Sequence, residues 1–374
     1  MRVLIVVNVD WFFLSHRLPV ALGAVQEGHE VHLATSLTQS QDRLKNHGFL
    51  VHPIQLHRSE AGPISSLKLF FQFLKLFRGI KPDVVHLVTI KPVLIGGLAA
   101  RLASVGGVAY AISGLGHVFL AESLYGRFRR TLVSGWYRLI LGARNMRVIF
   151  QNPDDQLALQ SVAELRPSQM VMIPGSGVDL VLYQSTPLPK GVPVVFMAAR
   201  LLTTKGVLEF VQAAELLKAA AVNVRFCLVG DPDPANPASI SEQMFEDWKR
   251  AGVVEVLGYR TDIPTLMAKA HVVVLPSYRE GLPKVLIEAA ACGRAVVTTD
   301  VPGCRDAILP GVTGLLVPPK DVQALAKAIK RLVEDPKICA EMGQAGRVHA
   351  EKNFDVQAVV KAHLAIYREL AEAV

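Results

Sequence analysis

The chain has 374 residues, of which 51% are hydrophobic and 19% are charged, and its formal net charge is +8. This length is typical of two domains, and the apolar content argues against a disordered chain. A membrane-spanning helix is not expected, because no run of about 18 uncharged apolar residues occurs, and four cysteines without metal-ligand spacing indicate a reducing cytoplasm.

The first half alternates short apolar runs with helical patterns. Continuous apolar runs are typical of strands buried in a parallel sheet. The predicted strands are Val3–Asn8, His29–Ala34, Val84–Val88, Val108–Ile112 and Val148–Gln151, and the predicted helices lie before Glu27, over Leu67–Arg78 and over Val93–Ala103.

The second half repeats this alternation. Its predicted strands are Val194–Ala198, Val224–Val229, Val254–Leu257, Val272–Leu275, Ala295–Thr298 and Leu315–Val317, and its predicted helices are Gly206–Ala220, Pro264–Ala268, Lys284–Cys292 and Asp321–Glu334. Two successive series of βαβ units predict an α/β protein of two Rossmann-like, doubly wound domains, over residues 1–172 and 193–355, with a linker over 173–192. Ligands bind beyond the carboxyl ends of strands in such sheets, so a cleft between two facing domains is the expected active site.

Positive charge is concentrated in the first half. Residues 1–190 hold 19 Lys and Arg against 11 Asp and Glu, whereas residues 191–374 hold 21 of each. Cations and aromatic residues are interleaved in Leu67–Arg78 and Leu124–Arg147. For the former we favour an ordinary amphipathic core helix, and for the latter docking on an anionic membrane surface. No signature of a nucleic-acid-binding module accompanies the charge, so no nucleic-acid partner is expected.

Two glutamates flank a predicted helix start in the second half. Glu280 lies in a loop after a strand, Pro283 opens the helix, and Glu288 follows about one and a half turns inside it. The helix N-terminus favours an anion. A carboxylate beside a phosphate would be repelled, so each glutamate is expected to accept hydrogen bonds from hydroxyls. This arrangement suits a diphosphate between two polyols, which is a nucleotide sugar; a loop charge and a surface helix charge are the simpler alternative.

Arg200 and Lys205 follow the first strand of the second half and precede a helix. A guanidinium fork and an ammonium at a strand exit can hold a diphosphate and stabilise its departure. A solvated loop would have a similar sequence.

Asp231-Pro232-Asp233 matches the Asp-x-Asp pattern of metal-dependent glycosyl transfer. We interpret it as a turn rather than as a metal site. The sequence therefore predicts no metal and no other cofactor.

The chain resembles glycosyltransferase family 4, whose members have the two-domain GT-B fold and retain the anomeric configuration. The resemblance covers nearly the whole chain and depends on Arg200 with Lys205, on Glu280 with Glu288, and on the segments Ile173–Asp179 and Gly311–Pro318. It also implies that a terminal helix, about residues 356–374, packs back on the first domain.

The resemblance implies a donor site with residues in distinct roles. Arg200 and Lys205 would bind the diphosphate, Glu280 the donor sugar and Glu288 the ribose. Main-chain N–H groups near Gly281 and Leu282 would bind phosphate, beside Pro283, Lys284 and Val285 in the first helical turn, and Gly258, Tyr259 and Arg260 would lie near the base. The predicted catalytic residues are Glu280, His117, Arg200 and Lys205.

The acceptor site is expected in the first half. His117 follows the strand Val108–Ile112, in the region where the family commonly places a histidine against the transferred sugar, although a structural histidine is the alternative. Residues Asp10–Arg17 occupy the expected first strand-to-helix loop without the glycines that many relatives have there. Asp10, His16 and Arg17 are the candidate acceptor contacts, with His16 and Arg17 directed to a phosphate.

Within the family, Arg279–Ala291 and Val301–Asp306 are most similar to enzymes that extend polyprenyl-diphosphate-linked glycans in O-antigen, capsule or glycoprotein-glycan assembly. The expected activity is transfer of a hexose or N-acetylhexosamine from a UDP-sugar to such an acceptor, by a cytoplasmic enzyme bound peripherally to the inner face of the cytoplasmic membrane. The alternatives are a soluble transferase of the sucrose or glycogen type, a nucleotide-sugar epimerase, and a non-catalytic binding module.

Overall fold

The computed structural model describes residues 1–38, 44, 46–56, 62–114, 134–142 and 145–373. The chain forms two compact units. Unit 1 comprises Met1–Ser176 and Gln357–Val374, and unit 2 comprises Gly177–Val356.

Unit 1 is built on a parallel sheet of seven strands in the order β3-β2-β1-β4-β5-β6-β7. The strands are β1 (Arg2–Val9), β2 (Glu30–Ser36), β3 (Leu50–Pro53), β4 (Val84–Val88), β5 (Gly107–Ile112), β6 (Met146–Phe150) and β7 (Met170–Met172). Its helices are α1 (Asp10–His16), α2 (Leu18–Gln26), α3 (Pro63–Ile80), α4 (Gly97–Leu102), α5 (Pro153–Ala163) and most of α12 (Val356–Glu372), with a further helical segment at 134–141.

The chain runs outward in opposite directions from β1 and β4. The carboxyl ends of these two neighbouring strands therefore form the topological switch point of unit 1, where ligands bind in sheets of this type. The core beneath contains the large side chains Phe73, Phe77, Tyr110 and Phe150.

Unit 2 has a parallel sheet of six strands in the order β10-β9-β8-β11-β12-β13. The strands are β8 (Val194–Ala198), β9 (Arg225–Val229), β10 (Glu255–Val256), β11 (Val272–Leu275), β12 (Ala295–Thr299) and β13 (Gly314–Val317). The helices are α6 (Val207–Ala219), α7 (Glu242–Ala251), α8 (Ile263–Ala268), α9 (Lys284–Ala291), α10 (Val322–Glu334) and α11 (Pro336–Asn353). Its switch point lies between β8 and β11.

Several elements were not predicted. The edge strand β3 is half exposed, and β7 has only three residues. Helix α7 buries Phe245 alone. The predicted helix at Val93–Ala103 divides into a π-helical turn at Pro92–Gly96 and the short helix α4.

Most of the segment predicted as a linker is part of unit 2. Tyr183 and Thr186 both bind residues of that unit, since the Tyr183 hydroxyl donates to Glu288 and the Thr186 carbonyl accepts from Arg294. The boundary therefore lies at Ser176 and Gly177. Helix α12 packs within unit 1, where Asn145 Nδ2 donates to the Leu370 carbonyl at 2.8 Å.

None of the described helices is both long enough and apolar enough to cross a membrane.

Candidate active site

Lys205 and Glu280 meet at the switch point of unit 2. They follow the neighbouring strands β8 and β11, and Lys205 Nζ lies 2.5 Å from Glu280 Oε1. The Ser277 hydroxyl donates to the same carboxylate oxygen at 2.7 Å. Ser277 is fully buried, and the Glu280 side chain is 11% exposed. The structure therefore brings a cation and a carboxylate, both predicted to bind the donor, to the edge where this type of sheet binds its ligands.

Close backbone packing fixes the two loops against each other. Gly206 has a φ of +73°, and a Cβ there would lie 2.1 Å from the carbonyl oxygen of Pro276. Gly303 has a φ of +81°, and its Cβ would lie 2.5 Å from the carbonyl oxygen of Glu280. Only glycine fits at both positions, because a side chain would be strained and would also collide with backbone.

Arg200 lies in the same loop as Lys205 and pairs with the second aspartate of the Asp-Pro-Asp segment. Arg200 Nη1 lies 2.9 Å from Asp233 Oδ2, and the Asp233 backbone N–H donates to Ser239 Oγ at 2.9 Å. The first aspartate accepts a hydrogen bond from Leu201 N through its main-chain carbonyl. Across the part of the chain that the structure describes, no three His, Cys, Asp or Glu side chains are grouped as metal ligands.

Glu288 is buried on α9 and is held by two partners. The Tyr183 hydroxyl donates to Glu288 Oε1 at 2.7 Å, and Lys284 Nζ lies 3.1 Å from the same oxygen. Burial and the neighbouring carboxylate raise the pKa of Tyr183, so its hydroxyl remains a donor at neutral pH. Glu288 is therefore a fixed, inward-facing carboxylate rather than a surface helix charge.

Sequence reasoning missed Glu209, which supports the site from α6. Tyr278 OH donates to Glu209 Oε1 at 2.5 Å, and the other carboxylate oxygen of Glu209 is buried with no partner among the described residues. Burial and this carboxylate raise the pKa of Tyr278. A glutamate in an otherwise apolar first helical turn was the available signal, but its partner is 69 residues away in the sequence.

The remaining predicted donor residues lie around these loops. Leu282 and Pro283 are buried immediately before α9, which begins at Lys284. Their role in binding the donor remains a prediction, as do those of Gly281 and Val285.

The segment predicted to approach the base follows β10. Gly258 has a φ of +64° and accepts a hydrogen bond from Gly230 N at 2.9 Å. Tyr259 is 74% exposed, and Arg260 forms a two-fold hydrogen bond with Asp262 at 2.8 and 2.7 Å. Base recognition by this segment likewise remains a prediction.

The predicted loop at Asp10–Arg17 is helical instead, because α1 begins directly after β1. Asp10 is fully buried in the first turn, where its carboxylate accepts from Trp11 N and Thr38 N. The His16 ring stacks on Phe12 with 4.1 Å between centroids. The predicted acceptor contact Asp10 is thus engaged in holding α1.

Arg17 lies at the junction of α1 and α2 and is only 1% exposed. Its guanidinium donates to the His16 carbonyl at 2.9 Å, and burial lowers its pKa to about 10. The guanidinium is therefore inside unit 1 rather than displayed to a phosphate on its surface. His117 lies outside the described residues.

Helix α3 carries an exposed face that is both apolar and basic. Leu69, Phe73 and Phe77 are buried, whereas Ile64, Leu67 and Phe71 are exposed by 73%, 56% and 57%. Lys68, Lys75 and Arg78 are also exposed, and the structure records no ion pair between them and a described carboxylate. The buried face agrees with the predicted core helix, whereas the exposed face carries large apolar side chains as well as cations.

Of the Leu124–Arg147 stretch, residues 134–142 and 145–147 are described. Tyr137 is 2% exposed, whereas Trp136 is 41% exposed. Arg138 pairs with Glu164, and Arg147 pairs with Glu369. These described residues pack in unit 1, and the rest of the predicted membrane-docking stretch lies outside the described part.

Two family models match the chain: a glycosyl transferase 4-like model over residues 2–150 and a glycosyl transferases group 1 model over residues 182–349. The N,N'-diacetylbacillosaminyl-diphospho-undecaprenol alpha-1,3-N-acetylgalactosaminyltransferase of Campylobacter jejuni is 27% identical, over 95% of this chain and 97% of its own length. The UDP-Gal:alpha-D-GlcNAc-diphosphoundecaprenol alpha-1,3-galactosyltransferase of Escherichia coli is also 27% identical, over 73% of this chain and 72% of its own length. Anabaena Alr3699/HepE, solved in complex with UDP and glucose, superposes with a TM-score of 0.77 at 22% identity and covers 98% of each chain.

Proposed function

The chain belongs to glycosyltransferase family 4 and has the GT-B fold, as the sequence predicted, and from this premise we propose a specific reaction. The enzyme transfers a hexose or N-acetylhexosamine from a UDP-sugar to a polyprenyl-diphosphate-linked glycan, with retention of the anomeric configuration and without a metal or other cofactor. The proposed binding of the donor depends on one observation, the contact of Lys205 with Glu280 at the switch point of unit 2.

When the donor binds, Lys205 and Glu280 separate, and each residue contacts a different part of the donor. The ammonium of Lys205 turns to the diphosphate, and the carboxylate of Glu280 stays near Ser277 and accepts hydrogen bonds from the sugar hydroxyls. Arg200 exchanges Asp233 for the diphosphate, to which a guanidinium can bind by two parallel hydrogen bonds. Glu288 accepts from the ribose.

The chemistry needs leaving-group stabilisation more than a protein base. As the bond to the anomeric carbon breaks, negative charge grows on the diphosphate, and each cation placed against it stabilises that charge by about 2.7–4 kcal/mol. The departing diphosphate oxygen takes the proton of the acceptor hydroxyl on the same face of the sugar. Attack from that face preserves the configuration, so an alpha-linked donor would give an alpha-linked product.

The acceptor is proposed from the two relatives, whose names both specify an undecaprenyl-diphosphate-linked sugar. Such a lipid is confined to a membrane, so the enzyme must work at its surface. The exposed face of α3 suits the cytoplasmic leaflet, because its apolar side chains can enter the headgroup boundary while its cations meet anionic lipids.

A thermal-shift series with UDP, GDP, ADP, CMP and their sugars tests the donor. A ligand at a hundred times its dissociation constant stabilises the native state by about 2.7 kcal/mol, and we expect UDP and UDP-sugars to do so. A response to GDP alone would overturn the choice of UDP. Release of free nucleotide with a new sugar epimer, in the absence of acceptor, would favour an epimerase over a transferase.

Vesicle flotation tests the membrane surface. We expect the wild type to float with phosphatidylglycerol vesicles and the Lys68→Gln/Lys75→Gln variant to bind about 30-fold more weakly, since each cation near such a surface contributes about 1 kcal/mol. The control Lys337→Gln/Lys352→Gln removes the same charge from exposed sites in unit 2. Equal losses of vesicle binding in both variants would show that binding depends on net charge and not on α3. No flotation of the wild type would favour a soluble transferase.

A further inference from the structure

Unit 1 contains a pocket of about 320 Å³ at its own switch point. It lies where β1, β4 and β5 end, at the edge where sheets of this class bind ligands. The wall residues on which the inference depends are Asn8, Phe12, Leu56, Thr89, Ile90 and Ser113.

Three polar oxygens in this wall are buried and have no hydrogen-bond partner among the residues that the structure describes. They are Asn8 Oδ1, Thr89 Oγ1 and Ser113 Oγ, one from the end of each of the three strands. Leaving a buried polar group unpaired costs about 1–3 kcal/mol, and unpaired groups on three separate elements in one pocket indicate that a ligand pairs them.

Thr89 provides an independent sign of function. Its φ of +74° places a β-branched residue in the left-handed region, which such residues rarely adopt. Strain of this kind costs about 1–3 kcal/mol and is concentrated at ligand sites. Glycine would adopt the same backbone without strain, but it would not supply a hydroxyl to the pocket.

The chemistry of the wall limits what it can bind. The Asn8 carbonyl oxygen accepts an N–H, and the hydroxyls of Thr89 and Ser113 can donate to a carbonyl. Phe12, Leu56 and Ile90 supply apolar surface, and Lys91, which also lines the pocket, adds an N–H donor. A secondary acetamide has an N–H, a carbonyl and a methyl group. The pocket offers an acceptor for the first, donors for the second and an apolar wall for the third.

We propose that this pocket binds the 2-acetamido group of the sugar to which transfer occurs, so that the acceptor glycan ends in an N-acylated amino sugar. The inference rests on the proposed function only in its assignment of this sugar to the acceptor. A sugar with a hydroxyl in place of the acetamide leaves the carbonyl donors and the apolar wall unmatched, and a site built for hydrogen bonds discriminates strongly against a ligand that lacks them.

The test compares two synthetic lipids, farnesyl-diphosphate-linked N-acetylglucosamine and farnesyl-diphosphate-linked glucose, by titration calorimetry. We expect the wild type to bind the acetamido sugar at least 10-fold more tightly. Ser113→Ala is expected to bring this ratio close to one, whereas the control Ser161→Ala, an exposed hydroxyl on α5, leaves it unchanged. Equal binding of the two lipids by the wild type, or an unchanged ratio in Ser113→Ala, overturns the inference.

Thr89→Gly separates ligand binding from folding. We expect a higher Tm than the wild type, because the strained φ is relieved, together with a reduced preference for the acetamido sugar. A lower Tm with unchanged preference would assign Thr89 to the architecture and overturn its place in the site.

Binding of UDP distinguishes the inference from the proposed function. Transfer from a UDP-sugar to both lipids at equal rates overturns the acetamide pocket and leaves the transferase standing. Selective binding of the acetamido lipid without any response to UDP-sugars overturns the proposed donor and leaves the pocket standing. Displacement of the acetamido lipid by UDP would assign the pocket to the nucleotide and overturn the inference.

Discussion

Replacing Lys205 with alanine removes the ammonium that faces Glu280 and, in the proposed reaction, the leaving diphosphate. Loss of one preorganised group that stabilises developing charge costs about 2.7–4 kcal/mol, which is 10²–10³ in kcat. The loss should fall mainly on kcat, because charge accumulates on the diphosphate in the transition state. Steady-state release of UDP in the presence of the lipid acceptor measures it.

The structure also bounds the effect of this substitution on stability. The Lys205 side chain is 23% exposed and that of Glu280 is 11% exposed, so the pair lies between a surface pair, worth about 0–1 kcal/mol, and a buried one, whose breakage costs about 3–5 kcal/mol. Ser277 still donates to the remaining carboxylate, so we expect a loss of about 1–2 kcal/mol in unfolding free energy. Lys249→Ala breaks an exposed pair with Glu246 and is the matched control. A Lys205→Ala enzyme that retains more than a tenth of wild-type kcat would refute the role of this cation.

Three further outcomes are expected. Burial lowers the pKa of His363 to about 3, so the unfolded chain takes up a proton near pH 6.5 that the folded chain does not. This group alone should lower stability by about 2 kcal/mol between pH 6.5 and 5, in addition to the neighbouring His86, whose pKa burial also lowers, and urea unfolding of His363→Gln should show a smaller pH slope. Gly206→Ala should lower Tm strongly because its Cβ meets backbone at 2.1 Å, whereas Gly28→Ala, with φ +79° and no atom within 4 Å, should cost only about 1 kcal/mol. Transfer should continue in EDTA, and activity that is lost in EDTA and restored by Mg²⁺ would show that a metal is required.

Strand positions were predictable where a run of mostly apolar residues coincided with burial on both faces of the sheet. Val84–Val88, Val194–Ala198 and Val272–Leu275 were predicted with the observed limits, because helices cover both faces of a parallel sheet and the sequence then has no polar alternation. The edge strand β3 was missed for the opposite reason: it is short, half exposed and ends in a proline.

The loops that carry Lys205 and Glu280 could be located from sequence because they follow recognisable strands. Lys205 and Glu280 come together since β8 and β11 are neighbours in the sheet and both end at the same edge. The contact between Glu209 and Tyr278 could not be predicted in this way, because it depends on side-chain directions in a helix and in a loop. Arg17 shows a second limit: a charged residue between two short helices is expected in solvent, but here it is enclosed by α12, which comes from the far end of the chain.

In the proposed reaction, the ion pair at the switch point of unit 2 separates, so that one site can accept both a dianion and a polyol. Lys205 and Glu280 cannot both face an incoming diphosphate, because the Glu280 carboxylate, 2.5 Å from the Lys205 ammonium, would repel it. Glu280 has a second anchor, since the Ser277 hydroxyl donates to it from a fully buried position and Glu280 N donates to the Pro302 carbonyl at 3.1 Å. Lys205 has a flexible stem and can turn to the phosphate, whereas the carboxylate is held in place. In the proposed reaction, the asymmetry of these anchors favours the mobile cation for the leaving group and the fixed carboxylate for the sugar, whose hydroxyls must be oriented before the bond breaks.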